Sequence, residues 1–136
     1  CGGERPVGEG RENGNFYQPT ILEGLSNRAR ICQEEIFGPV LVAMPFDDEA
    51  SLLKEANDSV FGLAAGIWTR DYKRAWRVAR ALEAGTVWIN RYGRSADFVI
   101  PTGGYHQSGI GKDLGRQAVE ANLRFKSVLI DFAAAH

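Results

Sequence analysis

The chain has 136 residues, enough for one domain with its own core, and its 44% hydrophobic and 24% charged content is ordinary for a globular protein. Sixteen basic against seventeen acidic residues give a formal charge of −1. No block of like charge stands out, so a nucleic-acid partner or an anionic membrane surface finds no support, and no apolar run approaches the ~20 residues of a membrane span.

Residues 1–14 hold five glycines among several charges and read as a loop or frayed lead-in. Phe16–Leu22 is strand-like around Pro19, which suits a sheet edge or a strand end. Glu34–Pro39 reads as a short helical turn stopped by Gly38 and Pro39. Val40–Phe46 is an apolar run of the kind covered on both faces. Asp47 offers a cap to a helix that carries Asp48 and Glu49 in its first turn and Leu52, Leu53 and Ala56 on one stripe. Leu63–Thr69 is expected as a second buried strand. Asp71 opens a second helix, where Ala75, Val78, Ala79 and Leu82 follow helical spacing and Gly85 stands where it could end.

Thr86–Asn90 is a third strand, followed by a long irregular stretch, Arg91–Gly111, with five glycines. A third helix over about Leu114–Leu123 and a last strand, Phe125–Phe132, complete the chain. Strands alternating with helices predict an α/β fold, a mostly parallel sheet with flanking helices and right-handed crossovers. Arg91–Gly111 is longer than a mere connection and is therefore a candidate binding loop.

Cys1 and Cys32 are the only cysteines, too few and too scattered for a disulfide framework, and they favour a reducing, cytoplasmic setting. The chain opens Cys-Gly-Gly and its only Met is Met44, so it reads as a piece of something longer.

Gln33-Glu34-Glu35-Ile36-Phe37-Gly38-Pro39-Val40 resembles the Glu-Glu-Ile-Phe-Gly-Pro motif of the NAD(P)-dependent aldehyde dehydrogenase superfamily. Further segments are similar to that family in the same order: Tyr17-Gln18-Pro19-Thr20, Ala56–Ser59 leading into Phe61–Gly66, Gly85–Asn90, Pro101–Gly109 and Lys112–Gly115. Any one of these is weak; their order and spacing over residues 16–132 carry the resemblance. It implies the C-terminal part of a catalytic domain at 15–124, an oligomerisation strand at 125–132, and a tail at 133–136 to which no function is given.

The resemblance also implies a chemistry. In such enzymes a cysteine thiolate attacks an aldehyde, hydride passes to NAD or NADP, and water activated by a glutamate releases the carboxylic acid. The family's nucleophile and general base lie in segments not present here, so the fragment alone is expected to be inactive. Glu35 matches the family's ribose-binding carboxylate, whose two oxygens can accept hydrogen bonds from both nicotinamide-ribose hydroxyls. Phe37 matches the aromatic beside the nicotinamide. For this pair the alternative is a solvated turn residue and a core anchor. Arg91–Thr102 matches the loop lining the aldehyde tunnel, with Tyr92, Phe98 and Thr102 as candidate walls; plain loop packing is the alternative. Thr102 stands where an aromatic is usual, which would leave that wall smaller or more polar. Asp97 could favour a cationic aldehyde or be a solvated loop charge. Asp113 falls where the family commonly has a Glu near the hydrolytic water, and a helix N-terminal carboxylate explains it equally well.

Cys32 is set aside as nucleophile because it stands just before the Glu-Glu-Ile-Phe motif, whereas the resemblance implies a reactive cysteine far upstream in a different sequence setting; it reads as a buried or inert thiol. Gly109–Gly115 fits neither glycine-rich phosphate signature in spacing. Asn57-Asp58-Ser59 is a formal glycosylation sequon without meaning in the cytoplasm, and His106 has no second metal ligand nearby in sequence. Trp68, Trp76 and Trp88 are expected in the core or on a helix face. The expected partners are a small-molecule aldehyde and further copies of the chain, in a homodimer or homotetramer. Two readings compete with the enzyme fragment: a self-standing binding or assembly module of dehydrogenase-like fold, and a phosphate-binding domain using the glycine loop.

Overall fold

The computed structural model describes residues 1–8, 10, 11, 13–93 and 98–132. Its elements alternate along the chain. Strand β1 (Thr20–Leu22) leads to a single-turn helix α1 (Arg30–Gln33) and strand β2 (Val40–Val42), then to helix α2 (Glu49–Asn57). Strands β3 (Phe61–Gly62) and β4 (Ala64–Ile67), helix α3 (Tyr72–Ala81) and strand β5 (Thr86–Ile89) come next, and strand β6 (Tyr105–His106) and helix α4 (Gly115–Ala121) close the order.

Two of the three ladders are parallel. Thr20, Ile21 and Leu22 face Val40, Leu41 and Val42, and Ala64–Ile67 run beside Thr86–Ile89 in register. The third, β3 with β6, is antiparallel and only two residues long. The α/β class with parallel crossovers therefore stands, but among the described residues as three short ladders and not as one broad sheet. Phe61–Ile67 is shared between partners: Gly62 faces β6, and from Ala64 onward the strand faces β5.

The two longer helices begin where side-chain chemistry permits. Asp48 accepts a hydrogen bond from the Ser51 backbone N–H at 2.7 Å, and the Ser51 hydroxyl lies 3.3 Å from the Asp48 N–H, a reciprocal cap one residue later than the expected Asp47. Asp71 accepts from the Arg74 N–H at 3.1 Å and opens α3 as expected. Helix α3 turns Ala75 and Val78 inward, 2% and 4% exposed, one helical turn apart. On α2, Leu52 and Leu53 are half-buried but Ala56 is exposed. Glu49 ties the two helices together, accepting from Arg77 at 2.7 Å with Arg74 at 3.6 Å.

Several expectations are corrected. Helix α1 precedes the Glu34–Pro39 motif, because Glu34 turns extended once its N–H has closed on the Arg30 carbonyl at 2.9 Å. Phe37, at φ 52°, cannot continue a right-handed helix. Helix α3 ends at an extended Leu82, so Gly85 does not stop it. The strands expected as buried are half-buried with exposed positions at Leu41 and Leu63, and Trp68 is exposed in the loop before α3, whereas Trp76 lies on a face of α3 as expected. The lead-in is tied to β1 at its start: Cys1 and Ile21 exchange two 3.0 Å backbone hydrogen bonds, and Gln18 donates to Glu4 at 3.0 Å. Phe125–Phe132 joins no ladder among the described residues, and the partner expected for it is another copy of the chain.

The core is correspondingly small. Only Thr20, Gly62, Ala75 and Val78 are buried among the described residues, and the chain exposes 11586 Å². A compact monomer of this length exposes about 7,000 Å². Phe125, at 95% exposure, and Leu129, at 90%, belong to that excess.

Candidate functional site

The motif residues Glu34–Phe37 bridge α1 and β2 without regular structure, and hydrogen bonds clamp the residues just after them. Pro39 accepts from Thr20 at 2.8 Å and Val40 donates to Gly38 at 2.8 Å, which fixes the entry to β2 beside β1. The two adjacent glutamates then part company. Arg30, one turn back, donates to the Glu34 carboxylate at 3.1 Å. Glu35 is exposed and has no hydrogen-bond or ion-pair partner among the described residues, so both its oxygens are free to accept. Two positions on, Phe37 is 93% exposed. An aromatic ring displayed this fully, on a backbone conformation rare outside glycine, forgoes burial that would stabilise the fold.

The second group of expected residues lies between β5 and β6. Tyr92 comes after β5, and its ring meets that of Trp88 edge-on with centroids 4.8 Å apart. Phe98 and Thr102 are held through their backbones. Thr102 and Asp113 exchange two 2.6 Å hydrogen bonds, and the Gly115 N–H donates to the Phe98 carbonyl at 3.0 Å. The Asp113 carboxylate accepts from the Leu114 N–H at 3.0 Å. No hydrogen bond, ion pair or ring contact among the described residues joins Glu35 or Phe37 to Tyr92, Phe98 or Thr102. Asp97 lies outside the described residues.

The glycines of this stretch have work that spacing alone did not reveal. A side chain on Gly85 would fall on the Gly103 carbonyl, and one on Gly103 would fall on the Gly111 carbonyl. Lys112 locks the stack by donating from Nζ to the Gly103 carbonyl at 2.9 Å, and its ammonium lies 5.5 Å from the Tyr105 ring centre. The cation that a phosphate loop would need is therefore engaged within the loop itself. The Ser108 hydroxyl accepts from the Gly62 N–H at 3.0 Å, seating the loop on β3.

Polar residues without an expected role prove to be braces. Asn57, of the formal sequon, donates to the Ala81 carbonyl at 2.8 Å and accepts from the Glu83 N–H at 2.9 Å, closing the end of α3. Asn90, at φ 55°, brackets Thr69 with bonds of 2.9 and 3.0 Å. His106 pairs with Glu83 at 2.8 Å. The signal for the asparagines was in the sequence: an amide donates and accepts at once and tolerates the left-handed region. Cys32 is a half-buried free thiol on α1. No group of three His, Cys, Asp or Glu converges as a metal set among the described residues. A cleft of about 590 Å³ between residues 24–28 and α2 is lined by none of the expected site residues.

Comparison with known proteins adds to this geometry. The profile of the aldehyde dehydrogenase family matches residues 1–128. The chain is 47% identical to an aldehyde dehydrogenase of Deinococcus radiodurans, covering 97% of this chain and 25% of that protein. It is 44% identical to a betaine aldehyde dehydrogenase of Mesorhizobium japonicum, covering 96% and 27%. Among solved structures, an NAD+ complex of a Mycobacterium tuberculosis aldehyde dehydrogenase superposes with a TM-score of 0.87 at 44% identity, over 98% of this chain and 27% of that one. An NAD+ complex of the Bacillus cereus enzyme gives 0.88 at 44% identity, over 97% and 26%. The chain thus spans about a quarter of the length of the relatives it matches. Six ordered motifs, parallel crossovers and this match agree: the chain belongs to the aldehyde dehydrogenase family.

Proposed function

We propose that this chain forms the nicotinamide-ribose and aldehyde-facing part of an enzyme that oxidises a small-molecule aldehyde to a carboxylic acid with NAD or NADP. The observation that carries the reading is the contrast inside Glu34–Phe37. One glutamate is neutralised by Arg30, and its neighbour Glu35 keeps both oxygens open beside an aromatic ring left 93% exposed. An unpaired carboxylate suits two adjacent ribose hydroxyls, and an exposed ring suits the face of a planar heterocycle.

The cofactor supplies the hydride acceptor when bound. The residues of this chain orient it: Glu35 holds the sugar, Phe37 packs beside the ring, and small misplacement of either would slow transfer steeply. NAD is favoured because the Mycobacterium tuberculosis and Bacillus cereus neighbours are NAD+ complexes. Phe98 and Thr102 face the aldehyde, and Tyr92 lines the same approach while resting on Trp88. The nucleophile and general base belong to segments of the family not among these residues.

The self-standing module is disfavoured by the surface excess, which is larger than a chain of this length leaves open when it folds by itself. The apolar segment Phe125–Phe132 pairs with another copy in a homodimer or homotetramer, and the free thiols suit a cytoplasmic setting. Among the described residues no helix is long and apolar enough to cross a membrane.

The test is a one-residue contrast in the intact enzyme. Glu35→Gln slows single-turnover hydride transfer about tenfold, whereas Glu34→Gln changes it by less than about twofold. Equal effects of the two substitutions, or unchanged turnover and cofactor affinity with Glu35→Gln, overturn the assignment.

A further inference from the structure

Phe98 and Thr102 are placed by main chain rather than by their own side chains. The Gly115 N–H holds the Phe98 carbonyl at 3.0 Å, and the Asp113 backbone holds both polar groups of Thr102 at 2.6 Å. Between these clasps the chain passes so near Gly115 that an added Cβ would stand 2.7 Å from the Val99 carbonyl oxygen and 3.1 Å from the Pro101 nitrogen. Neither obstacle is the flexible end of a side chain, so the segment itself would have to move. Gly115 also sits at φ 64°, directly after Leu114 at φ 63°. At the end of the same segment Gly85, in the turn between α3 and β5, leaves room for the Gly103 carbonyl, and Lys112 binds that same carbonyl at 2.9 Å.

Resting on the assignment of Phe98 and Thr102 to the aldehyde side, we propose that Gly115 and Gly85 are positioning residues for aldehyde selection, because their missing side chains set where residues 98–103 stand. The width of the aldehyde approach is then fixed by backbone contact at these two glycines, with Lys112 as a third tie. Neither glycine touches the substrate.

The experiment uses the intact dehydrogenase with acetaldehyde and octanal as probes. Its readout is the ratio of kcat/KM for the two aldehydes, together with KM for NAD. Gly115→Ala shifts that ratio about tenfold and leaves KM for NAD unchanged. Gly24→Ala is the matched control: Gly24 also has positive φ, at 72°, but an added Cβ there meets nothing within 4 Å, so the ratio stays put. Lys112→Met removes an exposed tie without a clash and shifts the ratio in the same direction by about threefold, deciding the question if Gly115→Ala does not fold. Thr102→Trp tests the underlying assignment separately. An unchanged ratio in the Gly115 or Lys112 variant, with a changed one for Thr102→Trp, overturns the proposal and leaves the aldehyde loop where it is. An unchanged ratio for Thr102→Trp removes the loop assignment and the proposal with it.

Discussion

Glu34–Pro39 and Thr102–Gly115 are held in opposite ways. The first is held by backbone hydrogen bonds at its two ends, between α1 and β2, and presents side chains, an open carboxylate and a bare ring. The second spends its backbone on mutual contact: Gly103 against the Gly111 carbonyl, Gly85 against the Gly103 carbonyl, and paired 2.6 Å hydrogen bonds at Thr102 and Asp113. A region that works through displayed side chains can lose one and stay folded. One that works through main-chain proximity must shift to accept a methyl group at its contact glycines.

The sharpest way to break this comparison is Gly103→Ala, whose new Cβ would fall on the Gly111 carbonyl. It should destabilise the intact protein by about 3 kcal/mol, read as a lower urea midpoint; an unchanged midpoint would mean that the stack is not a packed seat. Phe37→Ala should do the reverse. Its ring is 93% exposed, so the melting temperature holds while the dissociation constant for NAD rises about tenfold, or about 1.4 kcal/mol. A melting temperature that falls with unchanged NAD affinity would make Phe37 an anchor. Tyr92→Ala lies between the two kinds of region, removing the edge-on contact with Trp88 and about 1 kcal/mol of stability in thermal unfolding.

The smallest effect is electrostatic and belongs to neither region, which makes it a baseline. Asp48 and Asp71 lie below the usual carboxylate range because backbone N–H groups of Ser51 and Arg74 donate to them. Glu49 is lowered chiefly by its hydrogen bond from Arg77. A folded pKa below the unfolded one contributes stability that is complete above about pH 4 and is lost as pH falls through the lowered folded values. Urea midpoints should therefore drop on acidification below about pH 4, less steeply in Asp71→Asn. Identical slopes for the variant and its parent would remove Asp71 as a contributor.

Much of the architecture was legible because it is local. Asp71 and the Ala75–Val78 spacing announced α3, and the alternation of strands with helices announced parallel crossovers. Glu34–Pro39 misled because Gly-Pro is a stop signal that does not say how far upstream the helix ended, and the φ of Phe37 leaves no trace in its neighbours. Val40–Phe46 shortened to Val40–Val42 because an apolar run reports covering, not the extent of a ladder. The β3–β6 pair was hidden by its length, and Phe125–Phe132 by the absence of a local partner. The site divided along the same line. Glu35 and Phe37 could be named from the motif, but that Arg30 leaves one glutamate engaged and the other open is a fact of three dimensions.

The glycine stack has a consequence for how preference can change. Its contacts are made by atoms common to every residue, so it does not register which side chains Phe98 and Thr102 carry. Those two positions can be exchanged for larger, smaller or charged residues while the frame beneath them keeps its shape. If Phe98 and Thr102 face the aldehyde as proposed, one or two substitutions there retune the preference without rebuilding the wall on which they are mounted.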